Sequence, residues 1–128
     1  MTDKKKITRW ALIVIGIVVV VGIGYFVVAQ NAKPGQYDTL AKCIKDSGAI
    51  FYGAFWCPHC QDQKAAFGSS AKYLPYVECS TADSNGQLPV CSAAKINAYP
   101  TWHFNDGSRQ EGELSLAQLA TKTSCQLP

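Results

Sequence analysis

The chain has 128 residues, room for one ordinary domain, and carries 12 Lys and Arg against 9 Asp and Glu for a formal net charge of +3. Four of those cations (Lys4, Lys5, Lys6 and Arg9) fall in the first ten residues, where Asp3 is the only acid; past residue 30 the count is eight basic against eight acidic. The excess charge belongs to the N-terminal tail, and the rest lacks the basic surface that nucleic-acid binding requires, so no nucleic-acid partner is expected.

All six cysteines (Cys43, Cys57, Cys60, Cys79, Cys91 and Cys125) lie in the last 86 residues. An even number in a small domain points to an oxidising compartment. Only Cys57 and Cys60 form a CxxC, so the two liganding pairs of a zinc finger are not present. Neither a metal nor a cofactor is expected.

Residues 10 to 28 (WALIVIGIVVVVGIGYFVV) contain no charge over 19 positions, which as a helix spans about 28 Å, the hydrocarbon thickness of a bilayer. Val and Ile are weak helix formers in water, but in lipid the backbone must bond internally and the helix is the single-segment solution. Trp10 and Tyr25 sit near the two ends, where amphipathic rings prefer the headgroups. The cations precede the span and only Lys33 closely follows it, which by the positive-inside rule leaves residues 1–9 in the cytoplasm and places the cysteines outside, in a periplasmic or extracellular space. The alternative is a cleaved signal peptide, against which stands an apolar run longer than the usual signal core.

Residues 29 to 36 read as a tether containing Pro34 and Gly35, and the folded domain is expected over 37–128. Asp38 or Thr39 can cap a helix through Leu40, Ala41, Ile44 and Lys45 that ends at Ser47 and Gly48. Residues 49 to 56 (AIFYGAFW) are an almost unbroken apolar run and read as a buried central strand. A helix follows from Cys57 to about Ser70, with Pro58 in its first turn. Strands are expected at 76–80, 101–105 and 108–114, the last two joined by the turn signal Asp106-Gly107. Helices are expected at 88–96 and at 115–123, the latter capped by Ser115. This order predicts an α/β domain, a mixed four-stranded sheet flanked by helices in the thioredoxin-like sequence, preceded by one transmembrane helix.

Disulfide exchange needs a thiolate, and an ordinary Cys is mostly protonated at neutral pH. A Cys57 that ends a strand and starts a helix faces unpaired backbone N–H groups and the positive end of the helix dipole, while Pro58 removes an N–H that would have had no partner anyway. His59 adds a donor or positive charge beside the sulfur, which favours the thiolate and an oxidising disulfide. Cys60, on the same helical face, is placed to attack a mixed disulfide at Cys57 and release the product. Because Gln61 follows Cys60, the haem-attachment pattern CxxCH is absent.

With WCPHC after a buried strand and Tyr99-Pro100-Thr101 at the start of another, residues 37 to 125 resemble the thioredoxin superfamily. The resemblance implies a cis Pro100 facing Cys57, with the Tyr99 backbone pairing with the substrate chain. More narrowly, GAFWCPHCQDQKAAFG, YVECS, Cys91 and YPTW look like the thioredoxin-like domain fused to bacterial and plant homologues of vitamin K epoxide reductase. In those fusions the domain passes electrons from substrate thiols to a membrane quinone reductase, which here would act in trans. Many members of the superfamily carry a buried carboxylate six residues before the first active-site cysteine, where this chain has Phe51. The tetrapeptide CPHC matches that of the periplasmic oxidant DsbA, which favours oxidation of substrates.

Cys79 and Cys91 flank 11 residues, short enough for a bridge to close, and the fused relatives carry a corresponding pair; a structural disulfide is expected, with a relay disulfide as the alternative. Elimination leaves Cys43 to Cys125, one of 15 possible connectivities for six cysteines. Trp56 is expected to shape the surface on which a partner peptide lies, and His103 reads as a structural residue on a strand.

The leading expectation is an extracytoplasmic thiol-disulfide oxidoreductase acting on the thiols or disulfides of substrate proteins. The alternatives are a reductase fed by a transmembrane electron carrier, a copper module using Cys57, Cys60 and His103, and an unreactive, disulfide-stapled interaction domain.

Overall fold

Apolar β-branched residues form one continuous helix at the start of the chain, α1 (Thr2–Asn31), of 30 residues. The stretch Asp3–Gln30 is long and apolar enough to cross a membrane, and none of it is buried against protein. The helix continues through the basic residues that the sequence separates as a tail. The computed structural model describes residues 2–31 and 34–128, and the chain divides into two compact units, Met1–Lys33 and Pro34–Pro128. The expected tether at 29–36 thus begins inside α1, and its residues 32 and 33 lie outside the described residues.

In the second unit, α2 (Asp38–Asp46) buries Leu40, Ala41 and Ile44. Its N-cap is Tyr37, not Asp38 or Thr39, and no side chain caps it; the Tyr37 N–H is instead taken by Ser70 Oγ at 3.1 Å. Gly48, at φ +84°, reverses the chain after α2, a conformation favourable to a residue without Cβ.

The sheet consists of β1 (Ile50–Gly53), β2 (Tyr76–Glu78), β3 (Thr101–His103) and β4 (Arg109–Glu111), in the order β2-β1-β3-β4. β1 pairs parallel with β2 and antiparallel with β3, and β3 antiparallel with β4, so the sheet is mixed with β1 inside it, the thioredoxin-like order. The apolar run at 49–56 is not one strand throughout. β1 stops at Gly53, the Cys57 N–H turns back to the Ala54 carbonyl at 3.0 Å, and Phe55 and Trp56 are each 47% exposed. Periodicity could not reveal this, because a turn that feeds a helix is as apolar here as the strand before it.

After the turn comes α3 (Pro58–Ala65), then a 3-10 helix (Gly68–Tyr73) in place of the single helix expected to Ser70. The break falls at Gly68, whose φ of +54° lies outside helical backbone. α4 (Pro89–Ala93) is shorter than its apolar stretch, and α5 (Leu116–Thr123) starts at a complete capping box between Ser115 and Gln118.

Alternate residues of β1 serve two apolar clusters. Phe51 joins Leu40, Ile44, Phe67, Trp102, Leu119 and both CxxC cysteines; Tyr52 joins Cys79, Cys91 and Ile96. Phe51 stacks on Trp102 with ring centroids 4.7 Å apart. The structure joins Cys43 to Cys125, 82 residues apart, and Cys79 to Cys91, with Cα separations of 5.9 and 5.5 Å. The first bridge ties α2 to the segment after α5 and so closes nearly the whole domain into one loop.

A long polar side chain also lies inside this core. Gln63 of α3, 1% exposed, accepts from the Leu114 N–H at 2.8 Å and the Trp102 Nε1–H at 3.2 Å, and donates to the Leu114 carbonyl at 3.0 Å. It thereby fixes α3 to β3 and to the chain after β4. Gln63→Leu keeps the volume but orphans three buried polar groups, so it is expected to cost about 3 kcal/mol, read as a lower urea midpoint of the full chain in detergent; an unchanged midpoint would contradict this role.

A dithiol at the start of a helix

The turn at the end of β1 puts Cys57 at the N-cap of α3, in extended backbone (φ −77°, ψ 120°), with Pro58 as the first helical residue. The Cys57 carbonyl accepts from the Gln61 N–H at 3.1 Å, and the Gln61 side chain donates to the Phe55 carbonyl at 2.8 Å, which locks the turn. Cys57 and Cys60 carry free thiols, whereas the other four cysteines are bridged.

The two thiols differ in access. Cys57 is 6% exposed and Cys60 1%. Cys57 Sγ donates to the Tyr99 carbonyl at 3.7 Å. The Tyr99-Pro100 bond is cis, and Pro100 is buried, so the segment before β3 lies against the sulfur. Burial pushes the Cys60 thiol up to about 12, with the neighbouring Cys57 adding to the shift and the Ala54 backbone and Lys64 opposing it. Cys60 is therefore a thiol at neutral pH, and Cys57 is the less enclosed of the two.

Trp56 and Tyr99 frame the sulfur with rings edge to face, centroids 6.1 Å apart. Trp56 donates through Nε1 to Ser80 Oγ at 2.8 Å, and the Tyr99 hydroxyl accepts from Gln87 Nε2 at 2.7 Å, so both rings are pinned by polar contacts at their far ends. With Phe55 beside them they form a partly exposed apolar rim. Two cavities on the domain, one lined by Ser47, Phe104 and Asn105 and one by Gln110, Ala117 and Thr121, share no residue with this rim.

His59 is exposed, and its Nδ1 lies 2.6 Å from Glu113 Oε1. Its polar contact is with that carboxylate, not with the Cys57 sulfur. No local pattern points to Glu113, which is 54 residues away and approaches because Gln63 draws the chain after β4 onto α3. His59, Asp62 and Glu113 bring ligand atoms within 4.8 Å of one another, the group among the described residues with spacing suited to a cation, but all three are exposed side chains. His103 is elsewhere. It pairs with Ile50 at the start of β1, whereas the dithiol follows the end of that strand, so the structure does not assemble Cys57, Cys60 and His103.

The Cys79–Cys91 bridge lies in the apolar cluster of Tyr52 and Ile96, separate from the one that holds Cys57 and Cys60, and both of its residues are fully buried. Tyr76, not singled out by the sequence, stands beside Cys60: a Cβ at Gly53 would meet Tyr76 Cε2 at 2.8 Å and Cys60 Sγ at 2.9 Å. A glycine at that position is what admits both side chains. No periodic pattern marks such a contact, since it depends on β2 pairing with β1 in one register.

The strand order and the helix that starts at Cys57 define a thioredoxin-like α/β domain. The chain is 45% identical over 108 residues to the thiol-disulfide oxidoreductase LTO1 of Arabidopsis thaliana, an alignment that takes in 80% of this chain and 28% of the relative. The chain thus spans little more than a quarter of that protein's length. No family model matches.

In the reduced Cys57→Ser variant, iodoacetamide should label Cys60 slowly at pH 8 and faster only well above pH 9.0, because burial holds the thiol protonated. A labelling midpoint at the ordinary 9.0 would show that Cys60 is not shielded.

Proposed function

We infer that this protein is a membrane-anchored thiol-disulfide oxidoreductase that forms or exchanges disulfides in substrate proteins through Cys57 and Cys60. The observation that carries the reading is the division of the six cysteines: four are locked in two bridges, and the two left as thiols sit at the N-terminus of α3 beside Tyr99-Pro100. The name of the Arabidopsis relative supports it.

In this reading Cys57 is the nucleophile. Pro58 frees the helix N-terminus towards the sulfur, and His59 supplies a polar, ionisable ring next to it. Trp56, Tyr99 and Pro100 receive the substrate chain, whose backbone pairs with that of Tyr99. Cys60 displaces the substrate from the mixed disulfide. Cys79–Cys91 and Cys43–Cys125 are structural bridges, each contributing a few kcal/mol by restricting the unfolded chain.

Residues 10–28 anchor the domain in the bilayer, with the basic residues 1–9 on the cytoplasmic side and the domain at 37–128 in the periplasm or outside the cell. Support comes from the uncharged apolar length of α1 and from the cluster of Lys4, Lys5, Lys6 and Arg9 ahead of it. The oxidised dithiol is regenerated by a vitamin K epoxide reductase-like membrane quinone reductase in trans; the strings around Cys57, Cys79 and Pro100 support that partner.

The test is the reduction potential of the Cys57/Cys60 pair in the full chain in detergent, by equilibration with glutathione, with Cys57→Ser as the control that abolishes the signal. A value near that of DsbA, about −120 mV, is expected for an oxidase. A value near that of thioredoxin, about −270 mV, would overturn oxidation in favour of reduction, and a pair that does not exchange with glutathione would remove the enzyme reading altogether.

A further inference from the structure

The two rings that frame Cys57 come from distant parts of the chain, Trp56 from the turn before α3 and Tyr99 from the segment before β3. Both are held at their far ends by one short stretch, the loop from Cys79 to Cys91. The bridge between those two cysteines is fully buried and ties the ends of the loop together with Cα atoms 5.5 Å apart. Within the loop the Leu88 N–H donates to the Cys79 carbonyl at 2.7 Å and the Thr81 N–H to the Gly86 carbonyl at 3.0 Å, so that Ser80 and Gln87 stand opposite one another as an antiparallel pair. Residues paired in this way project their side chains to the same face.

On that face the Ser80 hydroxyl accepts from Trp56 Nε1 at 2.8 Å and donates to the Thr81 carbonyl at 2.9 Å. The Gln87 amide is engaged at both ends. Its NH2 group donates to the Tyr99 hydroxyl at 2.7 Å and to the Ile96 carbonyl at 2.8 Å, and its oxygen accepts from Ser92 Oγ at 3.0 Å. These bonds hold an exposed side chain in one rotamer where solvent would otherwise let it sample several. The Ser80 N–H and the Phe55 N–H also share one acceptor, Glu78 Oε1, at 2.9 and 3.2 Å, which ties the backbone of the rim to the start of the same loop. Trp56 is 47% exposed, so packing holds only one side of its ring, and the polar bond at Nε1 fixes the rest.

We propose that the disulfide-closed loop 79–91 presets the rim for a peptide, with Ser80 and Gln87 as its positioning residues. By holding Trp56 and Tyr99 in place before a substrate arrives, they favour thiols carried on an extended chain over small free thiols. The proposal deepens the reading of Cys57 and Cys60 as the exchanging pair with Trp56 and Tyr99 receiving the substrate chain, and rests on it. A mobile ring loses its freedom when a partner lies on it, and that loss weakens binding; a ring already held has little left to lose. The bonds of Ser80 and Gln87 go to the rim and to the groups around the loop, so their effect falls on the binding of the chain and not on the exchange at sulfur.

The test is single-turnover reduction of the oxidised protein, full chain in detergent, by a synthetic peptide with two cysteines set among apolar residues and, separately, by dithiothreitol. In each case one thiolate attacks Cys57 Sγ, the Cys57–Cys60 bond breaks with its electron pair on Cys60, and the second thiolate displaces Cys57. The reductant is oxidised by two electrons to its disulfide, and its two thiol protons reach Cys57 and Cys60 through solvent. Gln87→Leu and Ser80→Ala are each expected to raise the peptide concentration at half-maximal rate about fivefold, with the maximal rate and the dithiothreitol rate within about twofold of the parent. Tyr99→Phe, which lacks the hydroxyl that Gln87 holds, should match Gln87→Leu, and the two combined should be no worse than either alone, a coupling that a general loss of stability would not give. Ser80→Thr retains the hydroxyl and should return the parental value. Parental half-saturation in both Gln87→Leu and Ser80→Ala would overturn the proposal while leaving the exchange reading intact. An equal fall with peptide and with dithiothreitol would overturn it too, because the damage would then lie at the dithiol. If the parent reacts with neither reductant, the exchange reading fails and the proposal with it. Should Ser80→Ala not fold, Gln87→Leu and Tyr99→Phe decide the matter.

Discussion

The close approach of α3 to β1 at Gly53 is the constraint on which the rest of the site depends. A strand that ends at a glycine allows the first turn of the following helix to lie directly on it, and Cys60 fills the space where a Cβ would have been. From that single contact follow the burial of Cys60, the shift of its thiol to about 12, and the position of Cys57 one turn away at the edge of the domain. Gln63 keeps the helix in that place from the other side, through Trp102 and Leu114. Side chains far apart in the chain, Glu113 and Tyr76, then meet α3 only as consequences of where these two anchors hold it.

Two thiols of one tetrapeptide acquire different chemistry in this way. Both belong to the same apolar cluster, yet one opens to the rim formed by Trp56 and Tyr99 and the other does not. Desolvation penalises the thiolate of the deeper sulfur. Of the two, Cys60 is the one held as a thiol by its burial. The asymmetry is positional. It needs no difference in residue type, which is why a CxxC can be found in a sequence by spacing alone while the roles of its two members depend on the strand and helix around it.

That distinction governs what could be read from the amino acids. The dithiol, its proline, the strand before it and the helix cap at Ser115 are local, set by neighbours within four residues, and the pattern identifies them. The mixed four-stranded sheet with its helices followed from the alternation of short apolar runs with helical ones. Boundaries were less legible: the run from Ala49 to Trp56 has no polar residue to mark the turn at Gly53, and the break at Gly68 depends on a φ of +54° that composition does not encode. Illegible altogether were the partners supplied by register and tertiary packing. Gln63 looks like a surface residue of a polar helix, Glu78 like the exposed position of an edge strand, and Tyr37 like the first residue after a tether. Each is defined by a contact more than twenty residues away along the chain.

The coexistence of two permanent bridges and a free dithiol in one small domain also has a physical basis. Thiol-disulfide exchange is a substitution at sulfur along the S–S axis and so depends on access. Cys79 and Cys91 are fully buried in the cluster around Tyr52 and Ile96, and Cys125 is 9% exposed at the end of the chain, bridged to α2. Neither bridge opens onto the rim where Cys57 is approached. β1 itself separates them, because its alternating side chains give Phe51 to the cluster of the dithiol and Tyr52 to that of the Cys79–Cys91 bridge. A sheet only four strands wide can in this way hold a buried disulfide and a free dithiol on either side of one strand. The same separation argues against Cys79–Cys91 as a relay: electrons could pass to it from Cys57 only if the packing around Tyr52 opened, and that packing is part of the core.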